Sequence, residues 1–167
     1  MNLSSADADT QKALDTLNKN AWRKENIWHA YGGYENQNLT LPCDADTWTK
    51  VTNTAGTLWV GSEANGITMD DDEMVIANAG DYVGQVSLTI SALNGKDFHF
   101  RVYNMMQSAA TIALGISTTG AGNEMCLSMP LYLETDAGDR FQMQINSTDG
   151  TDPVLDDAVF YVAYLHD

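Results

Sequence analysis

The chain has 167 residues, about the size of one domain, and its 23 Asp and Glu outnumber its 8 Lys and Arg, so the formal net charge is −15. This acidic excess argues against direct binding to nucleic acid, because such binding depends on Lys and Arg that neutralise phosphates. No run of 18 apolar residues is present, and the first residues lack the pattern of a secretory signal. We therefore expect no membrane span and synthesis in a cytoplasm.

Residues 6–31 differ in pattern from the rest of the chain. They contain no Gly or Pro and are rich in good helix formers, which predicts a helix that ends at Gly32 and Gly33. Four apolar residues recur at helical spacing and form one narrow stripe: Leu14, Leu17, Ala21 and Trp28. A lone helix of this length is marginal in water, so the stripe must pack on its own body, bundle with copies of itself or dock on a partner. We expect docking on a partner, with Trp22 taking part.

From Trp48 onward the apolar pattern changes to a period of two, which is typical of strands. The candidate strands are separated by clusters of Gly, Asn, Asp and Ser, and they cover residues 47–51, 57–61, 74–76, 82–90, 98–102, 112–116, 125–134, 140–146 and 158–165. Many short strands with such punctuation predict an all-β sandwich or barrel. Its core is expected to hold Phe100, Leu133, Phe141 and Ile145.

The last candidate strand, residues 158–165, is apolar on both faces. A strand with only one face on a core shows a polar second face, so something else must cover this one. The outward face of residues 125–134 is also only weakly polar, with a Tyr and no Lys. These two features indicate an oligomer with a buried β surface, and we expect Tyr132, Tyr161 and Tyr164 to lie in its interface.

Three segments carry a resemblance to a known family. Ala79-Gly80-Asp81-Tyr82 is similar to the Gly-x-Tyr element before an early strand of the tumour-necrosis-factor-like and complement globular-head proteins. Residues 131–139 (LYLETDAGD) resemble the leucine-rich run that ends in Gly-Asp before a later strand, and residues 158–165 resemble the aromatic closing strand. The resemblance covers roughly residues 45–167 and implies a trimeric jelly-roll β-sandwich.

Bacteriophage virions use similar trimeric heads as capsid decoration proteins, head fibres and fibre tips, often with a short N-terminal attachment helix. The resemblance therefore implies residues 1–37 as an attachment or oligomerisation segment and residues 38–167 as a jelly-roll domain. The implied function is that of a virion structural protein, made in the host cytoplasm, which forms a homotrimer and binds capsid or tail proteins. The alternative is the tip of a phage fibre that binds a receptor, with a host surface glycan as its ligand.

The sequence presents no catalytic set. It contains no GxSxG, HExxH or P-loop motif, so we expect no enzyme activity and no cofactor. The two acidic loops, residues 70–73 and 149–157, lack the spacing of an EF-hand; solvated turns are the first interpretation and calcium sites the second. Whether the tryptophans, Trp48 among them, stack on sugars or serve as core or docking residues stays open.

Two smaller features have structural interpretations. Ala-Gly-Asp occurs at residues 79–81 and again at 137–139, each time before a long candidate strand, and we expect a tight connection at both places rather than a catalytic Asp pair. Cys43 and Cys126 are far apart in the sequence and form no CxxC motif, so we expect two free, half-buried thiols.

Overall fold

The computed structural model describes residues 10–13, 29–34, 38–52, 60–111 and 113–166. Residues 10–13 are helical, and the other described segments form thirteen strands joined by turns. The strands are β1 (His29–Tyr34), β2 (Leu39–Thr40), β3 (Thr49–Lys50), β4 (Val60–Asn65), β5 (Ile67–Asp70), β6 (Glu73–Ile76), β7 (Gly80–Ser91), β8 (Asp97–Asn104), β9 (Ala109–Ala110), β10 (Leu114–Ser117), β11 (Glu124–Thr135), β12 (Arg140–Ser147) and β13 (Val154–His166).

The strands form two antiparallel sheets. The first sheet has the order β11-β7-β13-β1-β4, with β2 paired to β13. The second has the order β10-β8-β12-β6-β5, with β3 paired to β12 and β9 paired to β8. Sequence neighbours such as β7 and β8 alternate between the sheets, which is how a jelly roll is wound.

The core lies between the two sheets and comes from the inward positions of the alternating strands. Tyr82, Phe98 and Phe160 are among the largest side chains that are fully buried there. All four residues expected in the core from the sequence are buried: Phe100, Leu133, Phe141 and Ile145. The predicted all-β jelly-roll sandwich is confirmed.

The N-terminal prediction needs a correction. The helix expected over residues 6–31 is wrong at its end, because residues 29–34 form β1, which lies between β13 and β4 in the first sheet. The glycines expected to end a helix lie within that strand, and its register against β4 shifts between Tyr31 and Gly32. The β structure thus begins ahead of residue 38, and a separate attachment segment stays a prediction for residues 1–28.

The segment around the acidic run, residues 67–76, also differs from the prediction. The sequence predicts one brief strand around Met74 and Ile76, whereas the structure has a hairpin in which β5 pairs with β6. Asp71 and Asp72 make its turn, both with positive φ, at +50° and +57°. Asp tolerates this left-handed region better than most residues, which is why four acids in a row can close a hairpin.

The Ala-Gly-Asp segment at 137–139 is a tight connection, as predicted, whereas in the segment at 79–81 Gly80 and Asp81 already begin β7. The two segments lie at the same end of the sandwich. Gly80 is paired with Thr135, the residue at which β11 ends before the second segment. Gly138 has a φ of +92° and open space around its α-carbon, so its conformation rather than crowding favours glycine. Asp139 is buried and accepts hydrogen bonds from Asn104 Nδ2 at 2.8 Å and the backbone N–H of Asp136 at 3.0 Å.

Both chain ends of the described body share one end of the sandwich. His29 at the start of β1 is opposite Ala163, and His166 near the end of β13 is opposite Asp81. The turns that join β7 to β8 and β12 to β13 lie at the other end. In the described part of the chain, no helix has the length and apolar character needed to cross a membrane.

The burial of Phe141 between the sheets leads to a stability prediction. Replacing Phe141 with Ala should lower the free energy of unfolding by about 3 to 5 kcal/mol, because a large buried ring is lost and a cavity remains. Leu93→Ala is the matched control, since Leu93 is 62% exposed and its truncation should change little. Thermal and denaturant unfolding measure both effects, and equal stabilities of the two variants would contradict the core assignment.

Candidate functional site

The outward side chains of β7, β11 and β13 form one continuous surface, which we call the first-sheet face. Strand pairing aligns them in four rows: Tyr132–Val83–Ala163, Pro130–Gln85–Tyr161, Ser128–Ser87–Val159 and Cys126–Thr89–Asp157. These rows contain no Lys or Arg, and Asp157 is their single charged residue. Other acids stand at the border, where Glu134 is opposite Asp81.

The first-sheet face exposes large apolar side chains. Tyr132 is 54% exposed, Tyr161 39% and Val83 38%, and the three lie in adjacent rows. Leu165 adds a further exposed apolar side chain near the end of β13. A contiguous apolar patch with a polar border is typical of a protein interaction surface.

The polar groups in the middle of this face bond with one another. Gln85 Nε2 donates to Ser87 Oγ at 2.7 Å and to Ser128 Oγ at 2.8 Å, and Ser87 Oγ is 3.2 Å from Ser128 Oγ. Polar groups that are already paired lose less free energy when water is removed. Burial of the face therefore costs less than it would if the Gln85 Nε2 group and the two serine oxygens had no partners.

The structure separates the three tyrosines that the sequence places in an interface. Tyr132 and Tyr161 lie on the first-sheet face, as that prediction requires. Tyr164 does not: it is three positions from Tyr161 on an alternating strand, and its ring packs edge-on against buried Tyr82 with the centroids 5.6 Å apart. We therefore correct Tyr164 to a residue on the core side of the sheet. The predicted docking residues lie outside the described part of the chain: Leu14, Leu17, Ala21, Trp22 and Trp28.

An open cavity of about 470 Å³ adjoins the first-sheet face. It lies where the edge strand β11 of one sheet approaches β9 and β10 of the other, and Leu114, Met129, Leu131 and Tyr132 are among the residues that line it. Because Tyr132 belongs to both features, the cavity continues the apolar surface of the first-sheet face around the edge of the sandwich.

The acidic loop between β5 and β6 is held by cations of the protein itself. Glu73 accepts from Arg140 Nε at 2.5 Å and from Lys50 Nζ at 3.2 Å, and Arg140 Nη2 also donates to Asp70 at 2.9 Å. Asp72 is buried and accepts from the Thr52 hydroxyl at 2.5 Å. These carboxylates have structural partners, which favours the turn interpretation of this loop.

The second acidic loop is organised in a similar way. Asp149 forms an ion pair with Lys96, and the hydrogen bonds from Lys96 and Thr151 hold the pKa of Asp149 well below its usual range. Asp152 Oδ1 accepts from the backbone N–H of Cys43 at 2.8 Å. Across the described residues, no three His, Cys, Asp or Glu side chains converge in a way that could hold a metal ion.

A different cluster lies on the outward face of the second sheet, and we call it the arginine platform. The Arg101 guanidinium lies 4.1 Å from the ring centroid of Trp48 and 5.0 Å from that of Tyr103. Arg101 Nε donates to Gln144 Oε1 at 2.7 Å. The side chain is thus fixed by two aromatic rings and one amide.

Part of the arginine platform could be inferred from the sequence. The alternation in β8 predicts that Arg101 and Tyr103 point outward, and both do. The approach of Trp48 and Gln144 could not be inferred, because these residues come from segments about 50 and 40 residues away along the chain. Only the register of β12 against β3 and β8 brings them together.

Comparison with known proteins supports the fold. No family model matches the sequence, and no curated protein sequence is similar to it. The structure is similar to that of Eiger TNF from S. frugiperda, with a TM-score of 0.60 and 14% identity over 84% of this chain and 94% of that one. It is also similar to murine APRIL, with a TM-score of 0.58 and 14% identity over 82% of this chain and 99% of that one. The chain has a TNF-like jelly-roll fold.

The two cysteines have different surroundings, although both are free thiols. Cys43 is buried, and burial, reinforced by the nearby carboxylates of Asp152 and Asp44, raises the pKa of its thiol to about 11. Cys126 is exposed on the first-sheet face, where Sγ lies 3.4 Å from Thr89 Oγ1. The prediction of free thiols is confirmed, but half-burial describes neither.

These surroundings predict how Cys43 reacts. The thiolate is the reactive form, so a thiol with a pKa near 11 is almost wholly protonated at pH 8. In a Cys126→Ser variant, Cys43 should resist iodoacetamide at pH 8 in the folded protein and react fully in denaturant. Mass spectrometry over time measures the labelling, and a model thiol peptide is the control. Labelling of folded Cys43 at the rate of the peptide would contradict the raised pKa.

Proposed function

We propose that this protein is a non-enzymatic structural protein of a bacteriophage virion, of the capsid decoration or head-fibre type. It forms a homotrimer of jelly-roll heads, and residues 1–28 attach the trimer to the particle. The observation that carries the proposal is the first-sheet face, which exposes Tyr132, Tyr161 and Val83 and has no Lys or Arg in its four rows. The finer assignment to a phage rests on the sequence resemblance.

Self-association is supported by the composition of the first-sheet face. A protein with a net charge of −15 repels its own copies, so association requires a surface with few charges. The four rows of the first-sheet face meet this need, and the polar groups of Gln85, Ser87 and Ser128 are already paired. The cavity beside Tyr132 gives a neighbouring copy a recess into which its side chains can pack.

A structural role rather than catalysis is supported by the state of the acidic residues. Four carboxylates of the acidic loops bond to Lys, Thr or backbone groups that fix turns: Asp72, Glu73, Asp149 and Asp152. Acid–base catalysis needs carboxylates aimed at a substrate, with perturbed pKa values. The loops instead join strands and hold the ends of the sandwich.

Attachment through residues 1–28 is supported by how charge is divided along the chain. Those residues contain four Lys and Arg and four Asp and Glu, so the acidic excess lies in residues 29–167. The segment combines an apolar stripe with cations, which suits an acidic protein surface such as a capsid shell. Burial of Leu and Trp side chains supplies about 25 cal/mol per Å² of apolar area. Three copies in one trimer then bind with avidity.

The second candidate function is a receptor-binding tip. The arginine platform favours it, because an aromatic and cationic cluster is present on a face that trimerisation through the first sheet leaves exposed. The two functions are compatible, since a displayed head can also bind a ligand.

Trimerisation can be tested on the first-sheet face. Tyr161→Arg should convert a trimer into monomers at micromolar concentration, because three buried guanidinium groups would lose water without gaining partners. Light scattering gives the mass. Leu93→Arg is the control, since Leu93 is 62% exposed in the connection between β7 and β8, outside the four rows of this face, and its replacement adds the same charge. A wild-type protein that is already monomeric would remove the main support for the proposal.

The attachment segment can be tested by a deletion that stops at residue 28, because β1 begins at His29. The truncated protein and a separate Trp28→Asp variant should remain folded trimers and should no longer co-sediment with capsids of the encoding phage. Trp28→Phe, which keeps an apolar ring, should still bind. If the truncated body binds the capsid normally, attachment does not depend on the segment. If the truncated protein is no longer a trimer, the segment belongs to the fold.

A further inference from the structure

We propose that the arginine platform is a binding site for a carboxylate-bearing sugar, with Arg101 as the group that holds the carboxylate. The site consists of Trp48, Arg101, Tyr103 and the amide side chains of β12. It lies on the second sheet, so the inference does not depend on trimerisation through the first sheet or on the particle that carries the protein.

Arg101 has no anionic partner among the residues that the structure describes. The β body contains four Lys and Arg, and three of them form ion pairs: Lys50, Lys96 and Arg140. Arg101 forms none with the described residues, and Nε, bonded to Gln144, is its single hydrogen-bonding contact there. An unpaired arginine in so acidic a protein is a selective anion site, because its two terminal Nη groups stay available for a bidentate contact.

The Arg101 guanidinium is held in place by its neighbours. The Trp48 and Tyr103 rings and the Gln144 amide fix its plane, so little side-chain freedom remains to be lost when a ligand binds. Preorganisation of this kind strengthens binding by lowering the entropy cost.

A row of side-chain amides lies beside Arg101. Gln142, Gln144 and Asn146 occupy successive outward positions of β12, and each is more than nine-tenths buried. The side chains of Gln142 and Asn146 make no hydrogen bond with the described residues, although their polar atoms still reach solvent. Amides provide both donors and acceptors, which is what the hydroxyl groups of a sugar require.

A shallow hollow lies beside the site, next to His99. It has a volume of about 250 Å³, and Asp97, His99, Gly115 and Thr148 are among the residues that line it. A β-carbon on Gly115 would lie 3.1 Å from the His99 ring, so glycine leaves room for the imidazole there. Asn146 is paired with His99, so the hollow is one strand away from the amide row and offers space for a second sugar unit.

These features favour a sugar over an acidic peptide. A peptide that adds to a sheet needs a free strand edge, whereas β12 is paired on both sides, with β8 on one and β3 and β6 on the other. The amide side chains of β12 match the hydroxyl groups of a saccharide, since amides both donate and accept hydrogen bonds. The carboxylate requirement comes from Arg101.

The test uses an array of uronic-acid and sialic-acid oligosaccharides, each beside its carboxyl-reduced neutral counterpart. The wild-type protein should bind at least one acidic oligosaccharide, and its neutral counterpart should bind about tenfold or more weakly, as expected for charge-assisted hydrogen bonds. Arg101→Gln should reduce acidic binding by a similar factor. Lys96→Gln, which removes the same charge at a turn, should not.

A second variant keeps the proposal testable if Arg101→Gln fails to fold. Gln144→Glu is nearly isosteric and gives Arg101 an internal carboxylate at the position that already accepts its Nε hydrogen bond. It should therefore lose acidic binding while circular dichroism shows an intact fold. The proposal is overturned if no acidic oligosaccharide binds, if folded Arg101→Gln or Gln144→Glu binds as wild type does, or if a penta-glutamate peptide binds equally well.

Discussion

The pairing of β13 with β7 is the constraint on which the rest of the structure depends. The last strand of the chain lies in the interior of the first sheet, with β7 on one side and β1 and β2 on the other. It buries Phe160 and Val162 in the core, and it places Tyr161 on the outward surface. Close approach of the two strands requires Gly84, because a β-carbon there would lie 2.0 Å from the carbonyl oxygen of Tyr161. The two strands are more than 60 residues apart along the chain, and non-local pairing of this kind slows folding.

The sequence predicted those parts of the fold that depend on local pattern. Alternation in residues 82–90, 98–102 and 140–146 gave the correct inward and outward faces, because a period of two has one solution once one face is buried. The helical pattern failed for residues 29–31, which instead form the start of β1 by pairing with β13. Tertiary pairing outweighs helix propensity, which is worth only fractions of a kcal/mol per residue.

In the candidate sites, too, the features that depend on local pattern could be predicted and those that depend on strand pairing could not. The outward position of Tyr132 and Tyr161 could be predicted from alternation, whereas Tyr164 was misplaced because the two-sided apolar strand was read without assigning its faces. The sequence favoured solvated turns for the acidic loops but could not identify the partners of Glu73, because Lys50 and Arg140 are distant along the chain. The stacking of Arg101 on Trp48 is likewise a product of strand register.

The shared position of the two chain ends has a consequence for how the head can be oriented and engineered. Since β1 begins and β13 ends on one side of the sandwich, a segment that leads directly into His29 or leaves from His166 meets the body on that side. The turns at the opposite pole then project into the surroundings, including the exposed Asn94–Gly95 turn, where Gly95 has open space around it. A foreign epitope inserted there would be carried at the distal pole, away from the support and from the first-sheet face. The two ends of the sandwich can therefore serve different purposes, one for attachment and the other for presentation.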